Sequence, residues 1–385
     1  MINIFLPFFL LFITLSPVAI NLGSQDGKPI DIVIGVIFSV FGVFLIFNRW
    51  LYRQKIYRQY ISLVFITLFI FLFSILYAGI EIGFSYTNIL SFVKFIYPVF
   101  SFGFFFYIFR HCNSIYPLFF AILLIGLILL LSEFINSTRF PLPRWGEYFF
   151  YFETYGHPNS FGSMVVLYLT ISLIVYRHVK PQLKIYAFMA IVYFSLLGIM
   201  LSSRNAFLSM ALLFTFFIFY RPSILKLALF SIMASLIFLL DLLDFSHLFH
   251  KFDRMAEGDL FYGRIDIWTH VLDLFADRPF LGYGFTPLSQ FYDGHGTAHN
   301  QYLELAYKSG IIGLISYMSI WILLAFKIFK KTKFLSSLHI LLAFFIVVFM
   351  SNVAQPNLSY STLQFSLIAV SVYLIQYINN QSNLS

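Results

Sequence analysis

About twelve apolar stretches of bilayer-spanning length divide this chain, and no other feature restricts its fold as strongly. Their approximate limits are 2–20, 32–48, 61–79, 91–109, 115–135, 160–176, 185–201, 206–220, 227–243, 310–328, 336–355 and 362–378. A membrane-crossing helix needs roughly 20 apolar residues. In lipid each backbone N–H and C=O must be satisfied within the protein, so such runs fold as helices. The expected class is therefore an all-α polytopic membrane protein. Composition agrees: 10% of the 385 residues are charged and mean hydropathy is +0.87, whereas soluble domains carry about 25% charged residues. A water-facing surface would not hide 53 phenylalanines; lipid does. The first run, Met1 to Ile20, has no Lys or Arg before it and no convincing cleavage site, so it reads as a retained span.

Charge sets the expected orientation. With both termini in the cytoplasm, the inner loops hold Arg49, Arg53, Lys55, Arg58, Arg110, Arg177, Lys180, Lys184, Arg221, Lys226, Lys327, Lys330, Lys331 and Lys333, 14 of the 24 basic residues. All 16 acidic residues fall outside or at outer span ends. The net charge of +8 thus belongs to topology and gives no basic patch for nucleic acid. The lone Cys112 excludes an internal disulfide and reads as a small apolar residue at a helix end. The division expected is a bundle of nine helices over 1–243, an extracytoplasmic loop over 244–309, and three further helices over 310–385.

That long outer loop is where function is expected. Within it, Ile265 to Asp277 reads as an amphipathic helix, with Ile265, Trp268, Leu272 and Phe275 on one face and Asp266, His270, Asp273 and Asp277 on the other. It would lie in the membrane interface with Trp268 at headgroup depth, or pack on the tops of the spans, and the two do not exclude each other. Thr297, placed as an N-cap, would start the next helix. His299 then sits near a helix N-terminus, whose positive end favours the neutral imidazole that a general base requires.

Each candidate has a competing reading. His299 is a base or a hydrogen-bonded loop histidine, and His295 four residues earlier competes for the role. Arg204 is a snorkelling topology anchor or, like Arg264, a guanidinium that grips phosphate through two parallel hydrogen bonds. Arg264 is alternatively a loop charge paired with Asp266 or Glu257. Lys94 is a weaker phosphate ligand, and Glu81, Glu133 and Asp241 mark outer span ends. The sequence has no GxxxxGK[ST] loop, HExxH or DxD-like pair, with Glu257-Gly258-Asp259 the nearest approach. Chemistry without metal or cofactor is expected.

Four segments in order carry a resemblance: Gly263-Arg264-Ile265-Asp266-Ile267-Trp268, Asp277 to Phe285, Ala298 to Glu304, and Gly310 to Leu314. With Ser202-Ser203-Arg204 and His157-Pro158-Asn159, they resemble the O-antigen polymerase and O-antigen ligase family. The resemblance implies a membrane glycosyltransferase of the GT-C type using polyprenyl-diphosphate-linked glycans as donor and acceptor on the outer face. It implies His299 as the base, Arg204 and Arg264 as diphosphate ligands, Asn300, Glu304, Arg278, His157 and Asn159 as supporting residues, and inversion at the anomeric carbon. A flippase and a chain-length regulator are the protein partners it suggests. Phe-, Ile- and Asn-rich usage points to an AT-rich genome and a Gram-positive envelope without an outer-membrane acceptor, which favours a polymerase over a ligase. The rival from another class is a lipid-linked-glycan flippase. It predicts ionisable residues along the middle of several spans, whereas here they stand at span ends and in the loop. A non-catalytic scaffold is the third reading.

Overall fold

The computed structural model describes residues 2–15, 37, 40–45, 48–83, 85–137, 158–200, 204–219, 264–292, 297–332, 338–352 and 361–382. Among them all regular structure is helical: α1 (Ile2–Leu15), α2 (Arg49–Arg53), α3 (Lys55–Ile82), α4 (Tyr86–Ile108), α5 (Tyr116–Ser137), α6 (Pro158–His178), α7 (Lys184–Met200), α8 (Arg204–Phe219), α9 (Arg264–Asp277), α10 (Gln301–Lys331), α11 (Leu338–Ser351) and α12 (Ser361–Ser382). Five stretches among the described residues are long and apolar enough to cross a membrane: Lys55–Ile82, Ser91–His111, Phe161–His178, Pro181–Ile199 and Gln301–Lys331. Shorter apolar helices cover Ile4–Leu15, Tyr116–Leu131, Ala206–Phe216 and Leu338–Met350. The run expected at 227–243 lies outside the described residues, as does most of that at 32–48. The protein is a multi-pass membrane protein. Its helices turn apolar side chains outward, with Phe69 and Ile80 of α3 71% and 82% exposed, a surface suited to lipid.

The chain divides into two compact units. One comprises residues 1–28, 114–260 and 336–348. Its α6 is buried on every face from Phe161 to Val175. The polar side chains in that stretch are satisfied locally: Thr170 and Ser172 each donate to the carbonyl four residues back, at 2.8 Å. The Tyr168 hydroxyl donates to the Leu15 carbonyl at the end of α1.

The second unit comprises residues 29–113, 261–335 and 349–385. Here α3 and α10 pack antiparallel. Lys327 Nζ meets Gln59 Oε1 at 2.7 Å at one end, the Thr67 and Ser316 hydroxyls meet at 2.7 Å midway, and Ser74 reaches the Lys308 carbonyl at 3.2 Å at the other end. Hydroxyl pairs of this kind tie membrane helices that have no hydrophobic drive to associate in lipid. α4 packs on α12, with Phe109 edge-on to Tyr373 and Gln376 donating to the Phe106 carbonyl at 3.3 Å. Arg49, Arg53, Lys55, Arg58, Lys330 and Lys331 therefore gather at the Gln59–Lys327 end, and α9 lies at the opposite end. Cys112 is buried just beyond a 3-10 turn that follows α4, and burial pushes its thiol up to about 12. It behaves as an apolar residue at a helix end.

Candidate active site

The site is built around a break in α10. Gly310 leaves the helix with φ 66° and ψ −177°, a conformation that a residue with a Cβ avoids. A Cβ there would stand 2.0 Å from the Phe280 carbonyl oxygen. The break strands buried backbone groups, each of which must find another partner. The Tyr307 carbonyl accepts from Tyr283 N–H at 2.8 Å, the Lys308 carbonyl from Phe285 N–H at 3.3 Å, and Ile311 N–H donates to the Pro279 carbonyl at 2.8 Å. The Ser74 hydroxyl stands 2.5 Å from the Leu281 carbonyl and donates there. The turn that supplies these partners is Gly282-Tyr283-Gly284-Phe285, in which Gly282 has φ 65° and approaches Tyr307 so closely that a Cβ would lie 2.4 Å from its oxygen. The span expected at 310–328 thus begins earlier, at Gln301, and is welded across its break to the preceding turn.

On this weld sits α9. Ile267, Val271 and Leu274 are buried against Tyr283, Leu288, Ala298 and Tyr307. Burying such side chains is worth at most about 1.5–3 kcal/mol each. The stripe differs from the one expected: Ile265 and Leu272 are 58% and 50% exposed. Spacing alone located an apolar face, but contact with the turn selects the 267/271/274 register. Trp268 is engaged by protein, its indole N–H donating to the Ala298 carbonyl at 2.9 Å. These contacts pack α9 on the turn and the first residues of α10.

His299 lies in the segment held by these contacts. Its own φ is 50°, in the left-handed region that non-glycine residues enter only at a cost of roughly 1–2 kcal/mol. The neighbouring peptides are pinned. Ala298 N–H donates to Glu304 Oε2 at 2.8 Å, and the Ala298 carbonyl accepts from Trp268. Asn300 caps α10, its Oδ1 accepting from Tyr302 N–H at 3.0 Å and Leu303 N–H at 3.2 Å. The cap is Asn300 and not Thr297, because Glu304 already holds the Ala298 N–H and the chain turns at His299. Gln301 N–H donates to the Asn352 carbonyl at 2.8 Å, and the Tyr302 hydroxyl to the Phe349 carbonyl at 2.6 Å. A histidine fixed from both sides needs little reorganisation to meet a substrate proton.

Glu304 is 3% exposed and pairs with Lys308, 6% exposed, one turn along α10. A buried carboxylate needs such a partner, and its other oxygen accepts the Ala298 N–H. Sequence reading passed over Lys308, although its spacing four residues from Glu304 signalled it. Arg278, expected in support, pairs with Glu81 and lies over the Tyr283 ring at 4.6 Å. It braces the turn against α3, and Glu81 does more than mark a span end. Burial, with the Asp277 carboxylate adding to it, raises the Tyr283 phenol above its usual range.

Arg264 opens α9 one turn before Trp268, on the same stripe of that helix, so the structure brings it to the end of the unit that carries His299, Asn300 and Glu304. Arg204 opens α8, and Asn159 lies in the first turn of α6, both in the other unit. The side chains of Arg204, Asn159 and Lys94 lie outside the described ones, as do the whole of His157 and His295. Among the described residues no three His, Cys, Asp or Glu side chains converge as metal ligands would. Trp268→Phe keeps an aromatic ring but loses the indole N–H and part of the bicyclic bulk. It is expected to lower stability by about 1–3 kcal/mol and turnover by more than that loss of folded protein explains. Thermal unfolding and turnover of the purified variant check both.

No curated protein matches the chain. Residues 188–318, from α7 into α10 and including Arg204, Arg264 and His299, match the family described as O-antigen ligase.

Proposed function

We propose, from the premise that residues 188–318 of this membrane protein form an O-antigen ligase family domain, that the chain joins polyprenyl-diphosphate-linked repeat units into a surface polysaccharide on the extracytoplasmic face. The observation that carries this is the pinned loop around His299: a strained histidine between two anchored peptides, at the end of the unit opposite Arg49, Arg53, Lys55, Arg58, Lys330 and Lys331. An end rich in Lys and Arg faces the cytoplasm, which supports an outer site and a cytoplasmic end for α12, whose Asn380 bonds the Arg110 carbonyl.

In this reading His299 takes the proton from an acceptor hydroxyl. The hydroxyl oxygen attacks the anomeric carbon of the donor sugar as the bond from that carbon to the diphosphate oxygen breaks. The diphosphate leaves with the electron pair, and the configuration inverts. Arg264 and Arg204 bind its oxygens and stabilise charge as it develops. In this proposal the two guanidinium groups supply the charge for departure without a metal ion. The nine-helix bundle over 1–243, the loop over 244–309 and the three closing helices remain the proposed domain plan.

Ligation to a lipid, protein or wall acceptor is the second reading, favoured by the description of the matching family. Deleting the gene and sizing the lipid-linked glycans, with sidedness probed, separates the two. Single repeats accumulating outside are the expected result. Long lipid-linked polymer that is never attached establishes a ligase. Repeats retained inside establish a flippase and remove the roles given to His299 and Arg264. Arg264→Lys keeps the charge but loses bidentate geometry. It is expected to weaken donor use about tenfold or more, read as KM for the lipid-linked donor, and an unchanged KM would count against diphosphate binding.

A further inference from the structure

Gln301 is the residue beside His299 that the fold leaves unexplained. Its side chain is fully buried, at 0% exposure. Its backbone N–H is taken by Asn352, yet neither Oε1 nor Nε2 finds a hydrogen-bond partner among the described residues. Three neighbouring polar side chains are engaged elsewhere: Asn300 caps the helix, Tyr302 bonds Phe349, and Glu304 holds Ala298 and Lys308. A buried amide without partners is unfavourable, and methionine would fill similar space without that penalty. No described group therefore makes use of this carboxamide.

Position and chemistry supply one. Gln301 is the first residue of α10, and side chains there lean toward the helix N-terminus, the side from which His299 precedes the cap. A carboxamide offers two N–H donors and one acceptor oxygen. A diphosphate presents acceptors alone and would leave Oε1 unmet. A pair of sugar hydroxyls, or a hydroxyl beside an N-acetyl group, both donates and accepts. Resting on the reading of His299 above, we infer that Gln301 is a sugar-binding residue: its carboxamide grips the acceptor glycan and turns the attacking hydroxyl toward His299.

The test uses the full chain in detergent and, as probe, the lipid-linked repeat units extracted from a host that lacks it. Gln301→Met and Gln301→Leu are compared with the parent for thermal midpoint and for kcat and KM toward the acceptor. The expected result is a midpoint equal to or above the parent's, with kcat/KM lower by about 10²-fold or more, as when a site built for hydrogen bonds loses them. Parental kinetics in either variant overturn the inference. So do two destabilised variants, since the amide would then serve the fold. His299→Ala, run alongside, separates the two levels. If it is inactive while Gln301→Met is normal, only the sugar contact fails. If it is fully active, the glycan-transfer reading itself fails.

Discussion

Replacing His299 by glycine leaves the protein as stable as its parent and stops glycan transfer. The two halves of that expectation have separate causes. At φ 50° the histidine sits where a Cβ is strained by roughly 1–2 kcal/mol. Glycine releases the strain and gives back about 0.5–1 kcal/mol through the greater freedom of its unfolded chain. Stability therefore stays level or rises slightly. A positioned general base contributes about 10²–10⁴-fold, so transfer should fall by that factor. His299→Ala controls for the loss of the Cβ. Polymer of normal length from either variant, expressed in a deletion background, would sink the assignment. Residues held in strained conformations that relax when replaced, at the expense of turnover, are a mark of functional sites.

Gly310→Ala should be the most damaging single methyl in the described part of the chain. The added carbon would stand 2.0 Å from the Phe280 carbonyl oxygen and 2.4 Å from Leu281 N. Both are backbone atoms, and Ile311 N–H to Pro279 O ties that backbone in place. Positive φ and overpacking together predict a loss of about 2–5 kcal/mol, a large share of the roughly 5–15 kcal/mol that holds a domain together. Gly126→Ala is the control, because its nearest neighbour would be 3.5 Å away and alanine is the better helix former by about 0.8–1 kcal/mol. Thermal unfolding in detergent compares them. Equal midpoints would mean that the break at Gly310 relaxes without harm.

The spans were legible because lipid imposes a simple rule on the backbone. The apolar runs beginning near residues 61, 91, 115, 160 and 185 each meet a described helix. The motif segments were legible too, as short strings of His, Arg, Asn and Gly. What escaped was register and long-range pairing. Ile265 and Leu272 are apolar yet face outward, so in a membrane protein an apolar residue does not identify the packed side as it does in water. Thr297 and Asn300 are both cap formers. The choice between them was made by Glu304, which took the N–H of Ala298, and by the bond of Gln301 to Asn352. The Arg278–Glu81 pair spans 197 residues, and no local pattern announces it. For Gln301 the signal was its place two residues after His299, but only the structure shows its amide buried without a partner among the described residues.

Two of the ties on the His299 loop come from far downstream: the carbonyls of Phe349 and Asn352 receive Tyr302 and Gln301. A ribosome working from the N-terminus completes α9, the Gly282 turn and most of α10 before either carbonyl exists. The loop can therefore be gathered by Trp268 and Glu304 during synthesis, but it is not closed until α11 has left the ribosome. A nascent or prematurely terminated chain would carry every residue assigned to the chemistry and still lack the last two fasteners. On the role proposed for His299, competence would wait until Asn352 has been made.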